Sequence, residues 1–117
     1  TFRSGQMGKN AEQDLTEVLM NIIINAGNAK SYAMDAIRAA KKFDFEKAEE
    51  KYKSAKDSEL SAHNAQTSLL AEESNGQGIK LNLLVVHAQD HLMNCITFND
   101  TAREIIDLYK TIKESRG

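Results

Sequence analysis

The segment from residue 83 to residue 94 mixes residues that could do chemistry with residues that form protein cores. It reads LLVVHAQDHLMN and places two histidines and an aspartate among aliphatic side chains. In a helix, at about 100° per residue, four polar residues fall on one stripe: His87, Asp90, His91 and Asn94. Apolar residues flank this stripe on both sides, so polar groups held there need a hydrogen-bond partner, a metal or a reacting group. We therefore expect the chemistry of the chain to lie on this stripe.

Three kinds of function fit the stripe. In the first, its side chains only hydrogen-bond in a core or an interface and specify how helices or subunits associate. In the second, His87 and His91 bind zinc, as in the H-x-x-E-H helix signature, with Asp90 in place of the glutamate. This zinc hydrolase also needs a distal ligand, and His63, the remaining histidine, has no second acidic motif nearby.

In the third kind of function, one neutral imidazole is a phosphoryl carrier. The ring attacks a phosphoryl donor in line while its other nitrogen keeps a proton on an acceptor. A histidine flanked by apolar residues suits this use, because the apolar rim provides a docking surface for partner proteins. Little further machinery is needed on the chain, since donor and acceptor are both other proteins.

Length and composition limit the class of protein. A chain of 117 residues with 41% hydrophobic residues supports one domain with one core. With 15 basic and 17 acidic residues scattered along the chain, no basic stripe is present, so we expect no nucleic-acid partner. No apolar run approaches the roughly 20 residues that span a bilayer, and we expect no direct membrane insertion. A single cysteine, Cys95, fits a reducing compartment, so we expect a cytoplasmic protein.

The chain has few residues that break helices, which predicts an all-α fold. It contains no proline and six glycines. Apolar residues at steps of three and four predict a first helix over about 11–41, in which Gly27 marks a kink or a close helix contact. Residues 1–10 are expected to be a disordered N-terminal segment, with those before Met7 added by cloning, and 11–117 to be the folded domain.

Two further helices complete the predicted fold. The second starts after Asp44, a plausible N-cap, and continues to about Glu73. The third runs from about Ile79 to Ser115, after a loop that reads SNGQG. Three long helices with short connections predict an antiparallel up-down-up three-helix bundle. Because the third helix carries a second apolar flank, at Val86 and Met93, we also expect a homo-oligomer.

Three segments of the chain resemble one protein family. The motif VVHAQDHLM at 85–93 is similar to the signature of the lactose/cellobiose-type enzyme IIA of the bacterial phosphoenolpyruvate-dependent sugar phosphotransferase system. IIINAGNA at 22–29 and ELSAHNAQT at 59–67 are similar to motifs of the family's first and second helices, and the turn GQG at 76–78 also matches in position. The resemblance covers nearly the whole chain. It implies a three-helix subunit that assembles into a homotrimer.

The resemblance also implies a role for residues of the signature. His87 would be the phosphorylated nucleophile, which accepts a phosphoryl group from the histidine phosphocarrier protein and passes it to a cysteine of a IIB component during uptake of a disaccharide of the lactose, cellobiose or chitobiose class. Asp90 matches the carboxylate that meets its two symmetry mates on the trimer axis and binds a divalent cation. A hard cation such as Mg²⁺ is the natural neutraliser of three close carboxylates. Gln89 and His91 match the motif as supporting residues. Gln89 would either hold a partner or ligand by its amide or pack against its neighbours. His91 would either hydrogen-bond near the phosphohistidine or have a structural role in an interface.

Three other polar residues near the signature receive structural expectations. His63 is expected to be packed or in an interface, with a role in the site as the alternative. Cys95 is expected to be a small core residue, since the acceptor cysteine of this pathway belongs to another polypeptide. Asn94 stands where the resemblance leads us to expect a small hydroxyl residue, so a hydrogen bond there would differ. From the residues alone, a non-enzymatic helical oligomerisation module is the competing interpretation, and the sugar stays open because a IIA component does not contact the carbohydrate.

Overall fold

The chain forms three long helices. The computed structural model describes residues 7–73, 76 and 82–116, with side chains of the first helix from Asp14 onward. Helix α1 spans Met7–Lys41, α2 spans Phe45–Glu72 and α3 spans Leu83–Arg116. They form an elongated bundle of 69 × 22 × 21 Å, and the described ranges contain no strand. The predicted all-α three-helix architecture is confirmed. None of the described helices is long and apolar enough to cross a membrane.

The connection between α1 and α2 is a tight turn at Phe43 and Asp44. Phe43 has φ 63°, a left-handed conformation that glycine usually supplies at the end of a helix. Its amide donates to Ala40 O at 2.9 Å, and the Asp44 amide donates to Ala39 O at 3.0 Å. Asp44 Oδ1 then accepts from the Lys47 amide at 3.2 Å, which confirms the predicted N-cap of α2.

Two predicted helix starts are corrected. Helix α1 begins at Met7, so residues 7–10, expected to be disordered, are helical. The one strong helix breaker there is Gly8, and its cost of about 1 kcal/mol does not end a helix that the following turns already support. Residues 1–6, expected to be added by cloning, lie outside the described residues. Helix α3 begins at Leu83 instead of Ile79, because Asn82 Oδ1 accepts from the Val85 amide at 2.9 Å and so caps the helix.

Gly27 does not have the role that its position suggested. Helix α1 continues through it without a break, and the residue is exposed. A Cβ atom added there would meet no atom within 4 Å. Gly27 therefore makes no close helix contact with the described residues.

The core lies along the seam of the three helices and is rich in alanine. The largest buried side chains near the α3 N-terminal half are Leu19, Ile22 and Leu92, which pack with alanines of all three helices. Further along, small residues again fill the seam: Ala33, Ala55 and Ala102. Small side chains bring helix backbones close together. This close packing fixes the rotation of α3 and so decides which of its residues face solvent.

Polar contacts between α2 and α3 fix their axial register. Asn99 is fully buried, and its Nδ2 donates to Glu59 Oε1 at 2.8 Å and to Ala55 O at 3.3 Å. Toward the end of α3, Arg103 makes a bidentate pair with Glu49 at 2.8 and 2.6 Å. Lys110 Nζ adds a contact of 2.7 Å to the same carboxylate. These directional contacts allow one alignment of α3 along α2.

Candidate functional site

The polar stripe of α3 lies outside the core of the chain. The core face of α3 is formed by residues at helical spacing, including Ala88, Leu92 and Cys95. His87, Asp90 and Asn94 are exposed, and His91 is half-buried. The sequence predicted that the polar groups of this stripe would be buried or half-buried and would therefore need a hydrogen-bond partner, a metal or a reacting group. Within one chain that expectation is wrong, because α3 turns its small and aliphatic residues inward and leaves this stripe at the surface.

The two histidines of the stripe contact each other. Their Nε2 atoms lie 3.0 Å apart, and their ring centroids are 4.4 Å apart with an interplanar angle of 88°. A distance of 3.0 Å between two ring nitrogens requires one of them to donate a proton and the other to accept it. His91, one helical turn away, thus orients the exposed His87 ring by this hydrogen bond.

His87 also opens onto an apolar hollow. A cavity of about 480 Å³ is lined by Leu83, Leu84 and His87. The Leu83 side chain at its edge is 84% exposed, although it is large and aliphatic. An exposed imidazole beside one exposed and one half-buried leucine is an arrangement suited to docking another protein.

Gln89 points away from His87. Two positions along a helix turn the side chain by about 200°, so Gln89 lies on the side of α3 that faces α2. There its Oε1 accepts a hydrogen bond from Gln66 Nε2. Within one chain, the structure does not bring Gln89 into the His87 site. Gln66 was not among the predicted site residues, although it belongs to the ELSAHNAQT segment.

Asp90 lies on the outer face of α3 between exposed apolar side chains. Val86 is 42% exposed and Met93 is 50% exposed. Among the described residues of one chain, no group of three His, Cys, Asp or Glu side chains could hold a metal ion. An exposed carboxylate offers the oxygen donors that Mg²⁺ prefers, so Asp90 suits a hard cation if other chains supply further carboxylates.

The remaining candidates take separate places. His63 is exposed on α2, so it is not packed within the chain. Cys95 is buried, and this burial raises the pKa of its thiol to about 11, as fits the expected core residue. The zinc interpretation needs a third ligand beside His87 and His91, and the described residues supply none. The two rings instead hydrogen-bond each other.

The chain is similar to known components of bacterial sugar uptake. The family model "PTS system, Lactose/Cellobiose specific IIA subunit" matches residues 17–110. The lichenan-specific phosphotransferase enzyme IIA component of Bacillus subtilis is 45% identical over 105 residues, which cover 90% of this chain and 96% of that protein.

Solved structures share both the fold and the sequence. The crystal structure of the cellobiose-specific enzyme IIA of Bacillus anthracis has a TM-score of 0.82 and 42% identity, covering 86% of this chain and 92% of that one. The chitobiose IIA in complex with HPr, from the Escherichia coli phosphotransferase system, has a TM-score of 0.74 and 35% identity, covering 83% and 94%. The family match at 17–110 includes all of α2, most of α1 and α3, and the whole HAQDH segment. The chain therefore belongs to the lactose/cellobiose-specific IIA family of the phosphotransferase system.

Proposed function

We propose that this chain is a phosphocarrier in which His87 accepts a phosphoryl group from the histidine phosphocarrier protein and passes it to a cysteine of a IIB component. The observation that carries the proposal is the exposed His87 ring, which is hydrogen-bonded to His91 at 3.0 Å and borders an apolar hollow. A phosphoryl carrier needs a nucleophile that two large partners can reach in turn. The position of His87 meets that need.

The transfer itself is a pair of displacements at phosphorus. A lone pair on a neutral His87 nitrogen attacks the phosphorus of the donor phosphohistidine, and the donor P–N bond breaks as the new one forms. In the second step a thiolate of the IIB component attacks the same phosphorus, and the His87 P–N bond breaks. The phosphoryl group moves intact both times, so no oxidant or reductant is needed.

His91 supplies the proton beside the reacting nitrogen. With His91 Nε2–H as the donor of the 3.0 Å hydrogen bond, His87 Nε2 keeps a lone pair directed toward it. When the phosphoryl group arrives at that nitrogen, the His91 N–H becomes available to one of its oxygens. This hydrogen bond offsets part of the negative charge that the partner brings.

The first partner is a protein whose own phosphohistidine docks on the apolar hollow. The chitobiose IIA that shares the fold was solved in complex with HPr, a histidine phosphocarrier protein. This complex supports the same class of phosphoryl donor for the present chain. Leu83 and Leu84, which line the hollow with His87, provide the apolar surface for this contact. The buried free Cys95 is compatible with the reducing cytoplasm, where these partners would be met.

The sugar class follows from the relatives and not from the site. Their names include lichenan, cellobiose and chitobiose. We propose uptake of a disaccharide of the lactose, cellobiose or chitobiose class. No residue around His87 needs to recognise the carbohydrate, because the chain handles only the phosphoryl group.

We propose that the working unit is a homotrimer with Asp90 on its axis. The exposed Val86 and Met93 side chains flank Asp90 on the outer face of α3, and burying them would supply association energy. Three Asp90 carboxylates would then meet, and Mg²⁺ would neutralise their mutual repulsion when bound. The cation has a structural role, and the phosphoryl transfer does not pass through it.

A chase experiment tests the relay. The chain is first labelled with radioactive phosphoenolpyruvate and the two general proteins of the phosphotransferase system, of which the histidine phosphocarrier protein is one. It is then purified and mixed with the cognate IIB component. We expect label to leave this chain and appear on IIB, and a IIB variant with its acceptor cysteine changed to serine to leave the label in place. Label that stays on the chain with wild-type IIB from lactose, cellobiose and chitobiose systems would contradict the proposed relay. A helical oligomerisation module would take up no label at all.

A further inference from the structure

A second concave site lies at the other end of the bundle. A cavity of about 450 Å³ occupies the surface at the α1–α2 turn. Four cationic side chains and two carboxylates line it: Arg38, Lys42, Lys47, Lys51, Asp35 and Asp44. The turn lies beside the end of α3, where Lys113 Nζ is 5.3 Å from the Phe43 ring centroid. At 1.5 Å per residue along α3, His87 is about 40 Å from this end. The cavity is therefore separate from the proposed phosphoryl site.

The carboxylates of this cavity are already engaged. Asp35 pairs with Arg38 at 3.6 Å, and Asp44 accepts from the Lys47 amide as the N-cap of α2. Among the described residues, no carboxylate lies within ion-pair distance of the ammonium groups of Lys42, Lys47 or Lys51. Three ammonium groups thus border one hollow without a paired anion, in a chain whose formal net charge is -2.

The arrangement is suited to a small anion with several oxygens. Lys47 lies in the first turn of α2, where the helix dipole adds positive potential. Lys51 Nζ lies 5.8 Å from the centroid of the Tyr32 ring, so a cation–π contact orients this ammonium group without an anion. Arg38 can present a planar fork to two oxygens of one phosphate. The volume of the cavity is in the range of sites for small molecules.

We propose that this cavity binds the phosphate group of a small phosphate ester, with Lys42, Lys47 and Lys51 as the charged contacts and Arg38 as the bidentate one. A dianion matches the excess positive charge, and a hollow shape favours a free molecule over the flat surface of a lipid bilayer. Because the site joins α1 to α2 across their turn, an occupied cavity stabilises that end of the bundle. It leaves the chemistry at His87 unchanged.

An NMR titration of the full chain tests the site. Glucose 6-phosphate is added to isotope-labelled protein at constant ionic strength, and glucose is added in a parallel titration. We expect saturable shifts of the amides between Asp35 and Lys51 with the ester and none with glucose. The Lys42→Gln/Lys47→Gln double variant should bind more than tenfold more weakly, since a unit charge about 4 Å from an opposite charge contributes roughly fivefold in water. The Asp44 cap is untouched in this variant, and thermal unfolding checks that it is folded.

Lys53 provides the matched control. It lies on the same helix, its side chain is 81% exposed, and it pairs with Asp57 away from the cavity. The Lys53→Gln variant should bind glucose 6-phosphate as the wild type does. Equal affinity of the double variant and the wild type, or shifts that never saturate, would overturn the proposal. Binding to phosphatidylglycerol vesicles but not to glucose 6-phosphate would also overturn it, because the phosphate would then come from a membrane.

Discussion

The Nε2 atoms of His87 and His91 lie 3.0 Å apart on adjacent turns of α3, with their rings nearly perpendicular at 88°. Ala88 and Leu92, each the next residue along, are fully buried and hold this stretch of helix in place. The pair is therefore preorganised by the core of the bundle. Because one nitrogen must donate and the other accept, the contact links the tautomers of the two rings.

Replacing His91 by phenylalanine should slow phosphorylation of His87 without abolishing it. Phenylalanine keeps a ring at this position and removes the N–H that we propose as the donor to the phosphoryl group. A hydrogen bond to a charged group is worth about 1.5–3 kcal/mol, so we expect a loss of rate of roughly ten- to a hundredfold. His91→Gln keeps an N–H donor and should recover part of the rate. The rate is measured by rapid-quench labelling with the phosphorylated histidine phosphocarrier protein. Equal rates for wild type and His91→Phe would remove His91 from the site.

Replacing Gly27 by alanine should stabilise the chain. The residue is exposed in the interior of α1, and an added Cβ has no atom within 4 Å, so the gain in helix propensity of about 1 kcal/mol meets no steric cost. Urea unfolding measures the free energy of unfolding, and Asn28→Ala on the same exposed stretch should gain less, because asparagine is closer to alanine in helix propensity than glycine is. A lower free energy of unfolding for Gly27→Ala, together with weaker self-association, would place Gly27 against another subunit.

The Glu49 contacts should make stability depend on acid pH. The Arg103 hydrogen bonds, with help from Lys110 and against the effect of burial, lower the Glu49 pKa from 4.5 to about 2. A lowered folded-state pKa stabilises the fold above the unfolded value, and this contribution is lost as the pH falls from about 4.5 to about 2. Since the Glu49 side chain is 43% exposed, solvent screening limits the effect to about 1 kcal/mol.

Comparison with Glu49→Gln isolates this effect. The variant should unfold at lower urea concentration than wild type near neutral pH, and the difference should vanish at about pH 2. Glu50→Gln, at the exposed neighbouring position, should show no such pH-dependent difference. A difference between wild type and Glu49→Gln that stays constant from neutral to acid pH would mean that the carboxylate charge is not the cause.

Removing the divalent cation should weaken the proposed trimer, because the Asp90 carboxylates would then repel one another. Three carboxylates about 4 Å apart repel by roughly 1–4 kcal/mol per pair near a protein surface, and a divalent cation removes that cost. We expect a chelator to dissociate part of the wild-type trimer, as measured by sedimentation velocity at low salt. Asp90→Asn should stay trimeric with or without the chelator, because it carries no charge to neutralise. A wild-type trimer that is insensitive to chelator would argue against a cation on the axis.

The local features of the fold were predictable from the sequence. The Asp44 cap follows from residue type and position, and the start of α2 was placed correctly beside it. The α3 start was placed too early because apolar residues before Asn82 continued the pattern, and the asparagine cap overrides it. The burial of Cys95 was also expected, since it shares a helical face with Leu92.

Features that depend on contacts between helices were not predictable. The Gln66–Gln89 hydrogen bond joins residues 23 positions apart, and nothing in the spacing of either shows that they meet. The same holds for the pairing of Arg103 with Glu49, and for the gathering of Lys42, Lys47 and Lys51 around one cavity. Side-chain periodicity gives the face of a helix. It does not give the rotation of one helix against another, which the alanine-rich seam determines.

The most direct test of the account is to map the phosphorylated residue. The chain is incubated with phosphoenolpyruvate and the two general phosphotransferase proteins, then analysed by mass spectrometry under conditions that preserve phosphohistidine. We predict one phosphoryl group per chain, on His87, absent from His87→Gln and present in the control His63→Gln, whose histidine is exposed on α2. Label that persists in His87→Gln, or that maps to another residue of the wild type, would contradict the account.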